Sequence, residues 1–164
     1  MTVVNEADAF TKSVLGKVVS KAYTPLVVET KTLFTVATGL CLVTAIVGKV
    51  TTAITVANTV KLQANPTTGT ASDLCAATDL GTTDTPAGNL LTVSGAPTGA
   101  IVSGIGAAAL YPISKVSSDY LGAAAGIVVA PGTIEQVTAT GADGGITWIL
   151  TWVPLESGAS IVAA

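Results

Sequence analysis

Four groups of residues in this 164-residue chain have types and spacings that could do chemistry. Gly104, Gly106 and Ala109 match a relaxed dinucleotide fingerprint, GxGxxA, in which a glycine turn brings a helix N-terminus up to a pyrophosphate. Ser20-Lys21 and Ser114-Lys115 set a hydroxyl beside an amine. Asp73, Asp79 and Asp84 gather carboxylates in one loop-rich stretch, the kind of oxygen ligand a hard cation takes. Cys41 and Cys75 could form one disulfide or remain two buried thiols.

Each pattern loses a part in context. Pro112 follows the glycines after a single turn, and no acidic residue stands at the ribose-binding distance, so 104–109 reads as a loop of small residues. A serine without histidine would need a lysine base, and no SxxK arrangement occurs. The Asp spacing is not that of an EF-hand loop, and Asp commonly forms turns. Neither cysteine belongs to a CxxC pair, so zinc would need two further ligands from carboxylates alone. The chain also has no His and no Arg. This removes the usual general base near neutral pH, the imidazole ligand and the bidentate phosphate clamp. No catalytic, cofactor or metal site is expected.

Charge narrows the partners. Seven Lys against ten Asp and Glu give a net charge of -3, and charged residues make up 10% of the chain, where about 25% is usual. Scattered lysines in an acidic chain give no footprint for nucleic acid. With 49% apolar residues, the surface must be built largely from Thr, Ser, Asn and Gly. A surface so weakly charged favours association with neighbours. The apolar run 33–48, LFTVATGLCLVTAIVG, nears the length of a membrane span, but its interior Thr, two Gly and the following Lys49 argue for strands instead. The first ten residues carry Glu6 and Asp8 and no Lys, so no cleavable leader and no membrane partner are expected.

Two regions would position these groups. Residues 1–29 read as an arm containing an amphipathic helix over Asn5–Ala22, capped by Asn5, with Phe10, Val14, Leu15 and Val18 along one face. Residues 30–164 read as a β domain. Strands are expected at Leu33–Val36, Leu40–Val47, Lys49–Val56, Thr59–Gln63, Leu90–Val93, Ala100–Ser103, Gly126–Val129, Thr133–Thr140 and Gly145–Val153, with breaks at Gly39 and Gly48. Thr59–Gln63 alternates, with Val60 and Leu62 expected not to share a face, which leaves this strand ambiguous. The last two strands, joined by the Gly-rich stretch 141–145, are expected to pair as a hairpin. Gly145–Val153, GITWILTWV, puts Ile146, Trp148, Leu150 and Trp152 on one face. Many short strands without βα alternation predict a mostly β fold, an antiparallel sandwich or small barrel. The helical stripe could pack on its own sheet or reach a neighbouring subunit. Trp148 and Trp152 could fill the core or anchor a neighbour.

The Thr/Val-rich run LFTVATGLCLVTAIVGKVTTAITVANTVKLQANP and the closing strand GGITWILTWVPLESGASIVAA resemble, in style, structural proteins of tailed bacteriophages, above all capsid decoration or cement proteins. The resemblance covers residues 30–164 and implies a homo-oligomer, often a trimer, on the outside of an icosahedral shell in the virion, locking copies of the major capsid protein together. A tail or fibre component is the alternative of the same class, and a glycan-binding module the alternative of another.

Overall fold

The computed structural model describes residues 16–93, 98–104, 126–141 and 143–164, and there the chain is all β. Twelve strands follow in order: β1 (Lys17–Tyr23), β2 (Thr30–Ala37), β3 (Cys41–Thr52), β4 (Thr59–Pro66), β5 (Ser72–Asp73) and β6 (Thr78–Asp79), then β7 (Leu90–Thr92), β8 (Val102–Ser103), β9 (Ile127–Val129), β10 (Gly132–Thr138), β11 (Gly145–Pro154) and β12 (Ser160–Ala163). They form two antiparallel six-stranded sheets. The first runs β1-β11-β3-β7-β8, with β9 also on β3. The second runs β12-β2-β10-β4-β5, with β6 also on β4. Neither closes into a barrel. Their inner faces share one apolar core that includes Phe34, Leu62, Ile134, Ile146, Trp148 and Leu150.

The expected helix is corrected where it can be seen. Residues 17–22 are strand, hydrogen-bonded along β11 from Lys17 opposite Trp152 to Tyr23 opposite Ile146. Gly16 explains the choice: its φ is +80°, in the left-handed region a right-handed helix cannot use. A Cβ there would lie 2.7 Å from the Trp152 carbonyl oxygen. Two adjacent β-branched residues, Val18 and Val19, then favour an extended strand. The rest of the expected helix lies outside the described residues.

Gly48 does not break a strand, because β3 runs through it. Trp148 stands directly opposite Gly48, and a Cβ on Gly48 would come within 2.9 Å of the Trp148 ring. The glycine is a seat for the indole. Two bulges re-phase the same strand. Thr44 is skipped between the Thr151–Ala45 and Trp152–Val43 pairs, and Thr51 between the Gly145–Thr52 and Ile146–Val50 pairs. Cys41 and Val43 are thus buried at odd positions, Ile46 and Val50 at even ones. The expectation for Val60 and Leu62 is corrected: in β4 both are fully buried on one face, as the two-residue period of a strand requires.

β10 and β11 do not form a hairpin: β10 lies in the second sheet and β11 in the first. The link between them crosses the sandwich beside another crossing link, from β3 to β4, and the two are laced together. The Asp143 carboxylate accepts the Thr55 and Val56 amides at 2.8 and 3.2 Å and the Thr55 hydroxyl at 2.8 Å. Gly141, at φ +70°, passes so close to Ala57 that a Cβ would sit 2.1 Å from its carbonyl oxygen. Local turn chemistry suggests a hairpin; contact with the neighbouring link sets a crossing.

Candidate interaction surfaces

The residues singled out for an interface go to three places. Phe10, Val14 and Leu15 lie outside the described residues. Val18 sits on edge strand β1, 67% exposed. Trp148 and Trp152 are buried in the sandwich, with Ile146 and Leu150 on the same face of β11. The Trp148 indole N–H donates to Gln136 Oε1 at 2.7 Å, and Gln136 Nε2 donates to Thr138 Oγ1 at 2.9 Å. The first bond joins β11 of the first sheet to β10 of the second, and the second bond holds the Gln136 amide within β10. A buried indole usually finds such an acceptor, but the sequence does not reveal which polar residue supplies it. Lys17 Nζ stands 5.0 Å from the centre of the Trp152 ring, within cation–π range.

The carboxylates serve turns and surface pairs. Asp79 Oδ1 accepts the Gly81 and Thr82 amides at 2.9 and 3.0 Å. With the Thr82 hydroxyl as the largest contribution, these bonds hold its pKa well below the ordinary carboxylate range. Asp73 pairs with Lys61 at 2.7 Å. Among the described residues, no group of three Cys, Asp or Glu could hold a metal ion. Cys41 and Cys75 are free and buried, and burial pushes both thiols up. Beyond Gly104, the glycine fingerprint lies outside the described residues. The apolar run 33–48 forms parts of β2 and β3, and no helix among the described residues is long and apolar enough to cross a membrane.

What the alternation leaves pointing outward differs between the sheets. On the second sheet, register places Gln63 and Thr32 beside Glu135, and Asn65 and Thr35 beside Thr133. Glu135 is only 7% exposed although it faces outward. Its carboxylate accepts Thr133 Oγ1 at 2.7 Å, Gln63 Nε2 at 2.8 Å and Asn65 Nδ2 at 3.2 Å. Burial pushes its pKa up more than any single bond lowers it, yet the three bonds together hold it below the usual range.

The outer face of the first sheet is apolar. Register sets Val18 beside Thr151, Ser20 beside Ile149 and Ala22 beside Thr147. The next strand adds Val47 beside Ile149 and Lys49 beside Thr147, and Val128 lies beside Leu42. Val102 and Val128 are each 54% exposed and Ile149 36%. Four of the exposed large apolar side chains, Val18, Val102, Val128 and Ile149, share this face, whereas Val162 stands on the other sheet. Among the described residues of these strands, Lys49 is the one charge the face carries. The signal was present in the outward positions of β3 and β11, but reading it required knowing that these strands are neighbours. No family model, curated protein or solved structure matches the chain.

Proposed function

We propose that this chain is a non-catalytic structural subunit of a virus particle, a decoration or cement protein that binds the outside of the shell and stabilises it through contacts with the major capsid protein. The observation that carries the reading is the exposed, nearly uncharged outer face of the first sheet on an otherwise well-filled sandwich. Exposed apolar surface of that kind marks association. A chain without His or Arg, with 10% charged residues, suits a role in which many modest contacts act together and no bond is made or broken. Self-association belongs to the same reading, as does location in the virion. No cofactor is required.

The test is particle composition and binding. The copy number of this chain in purified particles should approach that of the major shell protein, and purified chain should bind undecorated shells and raise the temperature at which they open. A handful of copies per particle would move the chain to the tail. A monomer that binds glycan and no shell would sink both assembly readings.

A further inference from the structure

We propose that the outer face of the first sheet is where two copies of this chain meet, sheet against sheet across a two-fold axis. The proposal deepens the reading of an assembling subunit and rests on it only in so far as copies are brought together. The face offers Val18, Val47, Val102, Val128 and Ile149 on one side of one sheet. Its strands β1, β11, β3, β7, β8 and β9 hold 7, 10, 12, 3, 2 and 3 residues, and at about 4.8 Å between strands and about 3.4 Å per residue they cover roughly 600 Å². That approaches the roughly 800 Å² per partner of a standard interface.

Charge favours a second copy over an unlike partner. A partner selected by charge would have only Lys49 to read, because no acidic residue lies on this face among the described residues. A second copy needs no match. Lys49 pairs with Thr147 toward one end of β11, two positions from Ile149. A two-fold axis crossing the strands near Ile149 sends the two lysines to opposite ends of the interface, so they do not oppose each other. An isologous contact of this kind is self-complementary by construction. The outer face of the second sheet is less suited to such a contact, since it presents the charged, hydrogen-bonded group around Glu135.

The two-fold pairing differs from the trimer implied by the resemblance, so oligomer order separates them. Sedimentation equilibrium of the full chain should show a dimer or an even-numbered oligomer. The Val128→Lys/Ile149→Lys double variant should weaken association about tenfold or more, because each interface then buries unpaired ammonium groups. Val162→Lys, on the outer face of the second sheet, should leave association unchanged. If the lysine variant melts early, Val128→Thr/Ile149→Thr replaces it and should still weaken pairing. A monomeric or odd-numbered chain, or pairs indifferent to both double variants, would overturn the proposal. If the chain is monomeric but the same substitutions abolish shell binding, the face belongs to the shell protein and the pairing is wrong. If pairs form and no shell is bound, the virion reading fails and the pairing stands.

Discussion

The two outer faces of this sandwich are made by the same device and differ in nearly everything else. Both are the outward half of alternating strands whose inward halves fill one core. On the second sheet the outward positions of β4 and β10 are Lys61, Gln63 and Asn65 and Thr133, Glu135 and Val137, and its central carboxylate is satisfied within the sheet. On the first, β3 and β11 put out Val47 and Lys49 and Thr147, Ile149, Thr151 and Val153. The inner halves make the sandwich; the outer halves decide what it meets.

The contrast can be tested in order of effect. Trp148→Ala removes a side chain on which both sheets pack, and unfolding by denaturant should show a loss of about 3–5 kcal/mol. A small loss would mean that the sheets do not share a core and that the comparison of faces is ill posed. Gln136→Leu strips the Trp148 indole of its acceptor and should cost about 1–3 kcal/mol. Trp148→Phe in that background should recover part of the loss, because the orphaned N–H is then gone.

Glu135→Gln sharpens the description of the polar face. The carboxylate accepts three bonds, and the amide keeps only some of them, so a loss of about 1–2 kcal/mol is expected near neutral pH. Its folded pKa lies below the unfolded value, so the stabilisation is fully present above the ordinary Glu range. It is lost as the pH falls through the lower folded value. Melting curves of the two proteins should therefore converge in acid, and a gap that widened there would reverse the sign. The smallest effect belongs to the apolar face. Val128→Thr should change the melting free energy of the isolated chain by no more than about 0.5 kcal/mol, although it alters the face proposed for pairing.

The legibility of these features follows the range of the interactions behind them. The inward face of β11 was readable because Ile146, Trp148, Leu150 and Trp152 repeat at the period of a strand. β1 was not, since Phe10, Val14 and Val18 fit a helical period while Val18-Val19 fit a strand, and the decision rests on Gly16 meeting Trp152 from the far end of the chain. Gly48 looks like a break until Trp148 is placed over it. The stretch 141–145 looks like a hairpin turn until Asp143 finds Thr55 and Val56. The bland sequence also concealed the apolar patch, since Val18, Val102, Val128 and Ile149 are scattered along the chain and neighbours only in the sheet.

The position of β11 has a consequence for synthesis. It is the eleventh of the twelve strands among the described residues, yet it inserts between β1 and β3, pairing residues 146–152 with residues 17–23. Loops that long close slowly, so the first sheet is among the late events of folding. A ribosome-bound chain that has not yet released β11 has no finished apolar face to offer. Premature association of half-made chains through the face proposed for pairing is thereby limited by topology, because that face comes into being only after β11 has joined β1 and β3.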